Sequence, residues 1–179
     1  SSVTDMDGMF RGATSFNQPL DNWNVGNVTT MSNMFREASA FNQPLNSWDV
    51  SKVKYMQFLF KSTIYNQPLN NWDVSSVLNM QEMFMGSDFN QPINNWEVGS
   101  VTNMYRLFRQ SDFNQPLNNW DMSKVVNIGQ MFDRNTGNFN QPLDNWVLSS
   151  ANSISFIFEN CRSFDQPLNN WDTSTITDM

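Results

Sequence analysis

The stretch Phe16–Val25 reads FNQPLDNWNV, and six further copies of this phrase follow it along the chain. The later copies read FNQPLNSWDV, YNQPLNNWDV, FNQPINNWEV, FNQPLNNWDM, FNQPLDNWVL and FDQPLNNWDT. Their tryptophans are 25, 24, 24, 24, 26 and 25 residues apart, at Trp23, Trp48, Trp72, Trp96, Trp120, Trp146 and Trp171. A regular period in the twenties predicts a solenoid, in which short units stack on one another and share a continuous core.

The first half of each repeat has the spacing of a strand. Leu20, Trp23 and Val25 follow the L-x-x-L-x-L pattern of leucine-rich repeats. Because side chains alternate along a strand, this pattern places Trp23 and Val25 on the inner face and Asn24 on the outer face. Proline lacks an N–H group and favours an extended predecessor, so Gln18 and Pro19 are expected to lead into the strand.

The second half of each repeat has the spacing of a helix. From Val28 the apolar positions advance by 3, 3, 1 and 3 residues, to Met31, Met34, Phe35 and Ala38. Such spacing is typical of one stripe along two or three helical turns. The expected fold is therefore an α/β solenoid, a leucine-rich-repeat-like right-handed coil with one short parallel strand and one short helix per 24–26-residue repeat. Residues 1–179 are expected to form a single array of about seven repeats, itself a fragment of a longer array.

The polar and aromatic residues that recur in every copy of the phrase are interpreted first as structural. Asn and Gln side chains in successive coils are expected to bond the neighbouring backbone as a ladder. The tryptophans could stack on sugars, but the alternation favours a buried aromatic ladder. The Met and Phe stripe is interpreted as core, and Cys161 as a small buried residue, because it replaces Ala or Ser of other repeats.

Composition narrows the classes of partner. The 179 residues are 39% hydrophobic, which suffices for a folded core, and the formal net charge is −7. There is no basic cluster of the kind that neutralises phosphates, so nucleic acid is not expected as a partner. No apolar run approaches the roughly 18 to 20 residues of a membrane span, so membrane insertion of this segment is not expected.

The sequence does not favour an enzyme. It contains no histidine, the commonest general base and a frequent zinc ligand. Acids that recur in every repeat do not single out one acid and one nucleophile of a glycosidase pair. We therefore expect a non-enzymatic chain without catalytic residues or a cofactor.

The residue after each tryptophan is acidic in five of the seven repeats. An outward column of such carboxylates has three interpretations: it keeps the face soluble and discourages sideways pairing, it binds a partner, or it holds a row of Ca²⁺ ions. Short polar residues flank it, and they suit hydroxyl or peptide groups. The candidate ligand-binding residues are Asn22, Asn24, Asp49, Asn71, Asp73, Asn95, Glu97, Asn119, Asp121 and Asp172.

The repeat, M-F-x-x-A-x-x-F-N-Q-P-L-N-x-W-D-V-S-x-V-x-x-M from Met34 to Met56, resembles the BspA-type bacterial surface repeat of about 26 residues. The resemblance covers essentially the whole chain. It implies an extracellular or cell-surface location, often with a lipid or wall anchor, and a role in adhesion or host contact.

Two functions follow from these observations. The first is a recognition or adhesion module that binds a protein or glycan on another surface through the outward strand face. The alternative is a structural spacer or self-assembling array, which would associate end to end.

Overall fold

The computed structural model describes residues 2–179, which form a stack of coils built from turns. These residues contain no α-helix and no extended strand, so the prediction of one strand and one helix per repeat is wrong. In this part of the chain the coils pair through seven parallel bridges between single residues that are 24 to 26 positions apart. The bridges connect Asp5, Thr30, Tyr55, Asn79, Asn103, Asn127, Ser153 and Asp178 in that order.

The segment predicted as a helix is a run of consecutive β-turns. In the second coil the N–H of Met34 donates to the Met31 carbonyl at 3.1 Å, and the N–H of Ala38 donates to the Phe35 carbonyl at 2.9 Å. These bonds span three residues, whereas an α-helix needs a span of four. The alternate N–H groups donate instead to the next coil, from Met31, Asn33, Phe35 and Glu37 to the carbonyls of Tyr55, Gln57, Leu59 and Lys61.

Two residues with positive φ recur in each turn segment, four positions apart. In the second coil they are Asn33 and Glu37, with φ values of 56° and 61°. Positive φ at the third residue characterises a type II turn and is incompatible with a right-handed helix. Equivalent pairs are Gly8/Gly12, Phe58/Ser62, Glu82/Gly86, Arg106/Gln110, Gln130/Arg134 and Phe156/Asn160.

The predicted first-half strand is likewise replaced by turns. The N–H of Trp23 donates to the Leu20 carbonyl at 3.0 Å, and the N–H of Val28 donates to the Val25 carbonyl at 2.8 Å. The NQP segment therefore leads into a turn and not into a strand. Trp23 and Val25 still point inward and Asn24 outward, because the turn preserves the alternation of burial.

The core is a set of stacked aromatic columns. Phe35 and Phe41 stack within one coil with ring centroids 4.1 Å apart, and Phe35 stacks on Phe60 of the next coil at 5.7 Å. The tryptophans of the five inner repeats are no more than 3% exposed. The Met and Phe stripe is buried with them, so both core predictions are confirmed.

Each inner tryptophan also bonds the preceding coil. The Nε1–H of Trp72 donates to the Leu45 carbonyl at 2.9 Å, and the same bond recurs for the other tryptophans from Trp48 to Trp171. Phenylalanine could fill the space but has no donor, which explains why the position holds tryptophan. Cys161 is buried as predicted, and burial raises the pKa of its thiol to about 11.

An asparagine ladder links the coils on the outside of the core, as the sequence predicted. Asn66 Oδ1 accepts the backbone N–H of Asn90 at 3.0 Å and the Gln91 side-chain amide at 3.0 Å. Asn42 makes the same two bonds to Asn66 and Gln67 of the next coil. One side-chain oxygen therefore satisfies two donors, which accounts for the adjacent Asn and Gln of the phrase.

Replacing Asn66 by Ala tests this ladder. The substitution leaves the Asn90 N–H and the Gln91 amide without their acceptor, so we expect a loss of roughly 1–3 kcal/mol in the free energy of unfolding, measured by urea denaturation. Asn66→Asp keeps the oxygen acceptor and is the matched control, expected to lose much less. Equal losses for the two variants would contradict the ladder.

Candidate binding surface

The residues that follow the tryptophans form an exposed line along the stack, which we call the acidic column. All seven positions are exposed: Asn24, Asp49, Asp73, Glu97, Asp121, Val147 and Asp172. The candidate residues that precede the tryptophans are also exposed, at Asn22, Asn71, Asn95 and Asn119, and we call them the amide column. The structure thus places all ten candidate binding residues on the surface, in two lines that flank the buried tryptophans.

The aspartates of the acidic column are fixed by local hydrogen bonds. Asp49 Oδ1 accepts the N–H of Ser51 at 3.1 Å and its Oγ–H at 2.6 Å. The same backbone bond, two residues on, forms an Asx turn in other coils, at Asn24, Asp73, Asp121 and Asp172. We missed this role, although the Asp-x-Ser spacing in the sequence signals it.

These bonds keep the carboxylates charged. The Ser51 hydroxyl lowers the pKa of Asp49 and the Ser123 hydroxyl that of Asp121, with smaller contributions from the serine backbone and from nearby lysines. The N–H of Ser174 lowers the pKa of Asp172 in the same way. These three carboxylates are therefore held in the charged form to a lower pH than an unperturbed aspartate.

One oxygen of each carboxylate remains outside the turn. Asp49 Oδ2 lies against Gly26 of the preceding coil, where a Cβ atom would come within 3.1 Å of it. Asp121 Oδ2 meets Gly99 in the same way, at 2.9 Å from the Cβ position. Glycine at these two positions leaves room for the carboxylate, and both aspartates are exposed.

A second asparagine ladder holds the amide column in place. The N–H of Asn71 donates to Asn46 Oδ1 at 2.9 Å, and the N–H of Asn119 donates to Asn94 Oδ1 at 3.1 Å. The Asn95 side chain donates to the Asn70 carbonyl at 2.8 Å. Sequence reasoning missed this ladder, although the recurring Asn-Asn-Trp triplet signals it. The backbone of the surface is therefore fixed coil by coil.

Two carboxylates lie inside the turn segments and are held by cations of neighbouring coils. Glu82 is 2.6 Å from Lys61 Nζ, and Asp133 is 2.6 Å from Arg109 Nε, with both acids buried. Buried charges persist when they are paired in this way. No sequence pattern pointed to these pairs, since each pair occurs in a single place along the stack.

The structure adds two findings on ions and membranes. Between Ser2 and Met179 no three Asp, Glu or Cys side chains come together as metal ligands. Within the same residues no helix has the length and apolar character needed to cross a membrane.

A pKa measurement tests the Asx turns. In the Ser51→Ala variant we expect the Asp49 pKa to rise toward its ordinary value of 3.8, while that of Asp121 stays unchanged, both measured by NMR titration of the carboxyl carbons. Because the folded pKa lies below the unfolded one, the turn stabilises the fold above pH 3.8 and this contribution disappears as the pH falls through the folded value. A native Asp49 pKa at or above 3.8 would contradict the assignment.

Comparison with known proteins identifies the family of this chain. No curated protein and no solved structure matches the chain. One family model matches twice, at residues 1–91 and 86–179, so that the two matches together span the whole chain. The chain belongs to the family of that model, described as "Mycoplasma protein of unknown function, DUF285".

Proposed function

We propose that this chain is a non-enzymatic recognition or adhesion module, located at the cell surface or outside the cell, that binds a protein or glycan through the acidic and amide columns. The observation that carries the proposal is the set of exposed carboxylates and amides repeated in register on a hydrogen-bonded backbone. The BspA-type resemblance supports the surface location and the adhesive role.

The geometry favours binding of an extended partner. The Asx turns orient the aspartates before a ligand arrives, so little side-chain entropy remains to be lost on binding. Equivalent groups recur once per coil, which allows several weak contacts to act together. The exposed carboxylates suit a basic protein patch, and the amides suit hydroxyl or peptide groups.

The surroundings of the acids favour binding over catalysis. Asp49, Asp73 and Asp121 share the same turn and the same exposure, so none is set apart as an acid or base. The pKa values of Asp49 and Asp121 are lowered, which keeps these two carboxylates ionised, whereas a general acid needs a pKa raised toward neutrality. This uniformity supports a binding surface without a cofactor.

The triple variant Asp49→Asn, Asp73→Asn and Asp121→Asn tests the proposal. Asparagine keeps the Asx-turn acceptor and removes only the charge, so the fold should persist. We expect ligands found on a glycan and protein array with the native chain to bind the variant at least tenfold more weakly.

The matched control is Asp7→Asn, Asp21→Asn and Asp88→Asn. These three exposed acids lie outside the acidic column and give the same change in charge. Binding by the control should equal that of the native chain. Equal binding by the two triple variants would show that the acidic column takes no part in recognition. If the charges act directly, added salt should also weaken binding by the native chain.

One observation favours the alternative of a self-assembling array. The first coil carries a hollow of about 480 Å³ lined by Val3, Asp5, Met6, Met9, Trp23 and Asn24. Val3 and Met9 are 43% and 51% exposed there. Among residues 2–179 the Trp23 indole N–H has no acceptor, whereas the later tryptophans each bond a preceding coil. The alternative proposal is that a coil of a second copy stacks on this surface.

Light scattering across protein concentration tests the alternative. If the hollow accepts another copy, the average mass should rise with concentration, because burial of Met9 and Val3 favours association. The variant Met9→Asp should shift that rise to higher concentration, and Met85→Asp, whose residue lies in an inner coil, is the control. A chain that stays monomeric at millimolar concentration would exclude end-to-end assembly.

A further inference from the structure

A basic groove lies on a different part of the coil from the acidic column. It has a volume of about 490 Å³ and is lined by Arg134, Asn135, Thr136, Asn138, Asn160 and Arg162. Two of the chain's 10 basic residues, Arg134 and Arg162, line this groove, although the net charge of the chain is −7. The volume falls within the roughly 300–1,000 Å³ of small-molecule sites.

Two carboxylates lie beside the groove residues, Asp112, whose Oδ1 accepts the Thr136 hydroxyl at 2.6 Å, and Asp133. The three arginines Arg109, Arg134 and Arg162 exceed them by one charge. The Asp133 carboxylate is already paired with Arg109 at 2.6 Å, and the Arg134 Nε is 3.7 Å from its other oxygen. The Arg134 side chain is 55% exposed, and Arg162 forms no ion pair within residues 2–179. Glu159 is exposed and is not part of the groove wall.

The groove arises where the repeat departs from its pattern. The position after the small buried residue holds Asp88, Asp112, Thr136 and Arg162 in successive coils, so its charge reverses along the stack. The spacing from Phe132 to Phe139 is 7 residues, whereas Phe10 to Phe16 is 6.

The extra residue makes a loop that forms one wall of the groove. Gly137 lies against the Asp112 carbonyl, and a Cβ atom there would overlap it, so only glycine allows this path. Asn135 is buried and anchors the loop: its Nδ2 donates to the Phe113 carbonyl at 2.9 Å, and its Oδ1 accepts the Phe139 N–H at 3.0 Å. The wall is therefore fixed in place before any ligand binds.

We propose that this groove binds a small ligand through a carboxylate, sulfate or phosphate group. The planar guanidinium groups of Arg134 and Arg162 each offer parallel N–H donors that match such an oxyanion. The side-chain amides of Asn138 and Asn160 offer donors for the neutral part of the ligand, whereas the Thr136 hydroxyl already bonds the Ser111 carbonyl and Asp112. This site differs from the acidic column in charge and position, and does not depend on the function proposed for that column.

Binding of simple probes to the native chain tests the groove. Inorganic sulfate, inorganic phosphate and glucuronate are titrated separately, with glucose as the uncharged control, and amide chemical shifts report the residues affected. We expect at least one anion to shift the resonances of residues 134–138 and 160–162, and the anion that binds tightest identifies the oxyanion. No shift with any anion, or an equal response to glucose, would overturn the proposal.

Substitution of the arginines separates the groove from general charge effects. Arg134→Gln and Arg162→Gln should each weaken anion binding about tenfold or more, as expected for loss of a charge-assisted hydrogen bond. Gln110 occupies the position equivalent to Arg134 with a similar positive φ, 57° against 53°, so glutamine fits there without new strain. Arg11→Gln, an exposed arginine of the first coil, is the matched control and should bind as the native chain does. Equal affinity for the native chain and both groove variants would assign the anion to another site.

Discussion

The structure depends on one constraint: every second backbone N–H of the turn segment must reach a carbonyl of the next coil. In an α-helix the backbone N–H groups bond carbonyls of the same helix, so none would remain to join one coil to the next. In consecutive turns the N–H groups of Met34 and Ala38 donate to carbonyls three residues earlier. The N–H groups of Asn33 and Phe35 are then available to donate to the next coil. The recurring positive φ values are the cost of this alternation, about 1 kcal/mol or more for each residue other than glycine.

The side chains repeat the register that the backbone imposes. Asn66 Oδ1 and the stacked Phe60 ring each contact the equivalent residue of an adjacent coil, and the Trp72 indole N–H bonds the Leu45 carbonyl of the preceding coil. A change of length inside the phrase would break all of these contacts at once, since each has the same period. Insertions are therefore confined to the segment between the turn-segment phenylalanine and the aromatic residue of the phrase, as between Phe132 and Phe139. Stability in such an array accumulates coil by coil.

The sequence was sufficient for the features that repetition alone determines. The period, the inward tryptophans, the Met and Phe core, the outward acids and the first asparagine ladder were all predicted. The prediction of a helix was wrong because apolar residues spaced by 3, 1 and 3 lie on one face both of a helix and of successive type II turns. Gly8, Gly12 and Gly86 were the available signal, since glycine favours positive φ. The basic groove was not predictable from the sequence, because Arg134 and Arg162 are 28 positions apart and line the same groove only when neighbouring coils stack.

Repetition also limits what a uniform surface can recognise. Identical groups in every coil bind a partner at any register, so they supply affinity without fixing its position. A departure from the repeat creates a unique place on the stack. The sequence departs from the repeat pattern in three places at or next to the sixth repeat. The inserted loop at Gly137 precedes this repeat, Val147 takes the position of an acid in the acidic column, and Ala151 replaces the usual valine. Arg162 follows at its end. Loss of an acid at Val147 and gain of arginines at Arg134 and Arg162 set this part of the stack apart in charge, so a ligand that depends on both arginines would bind at one position.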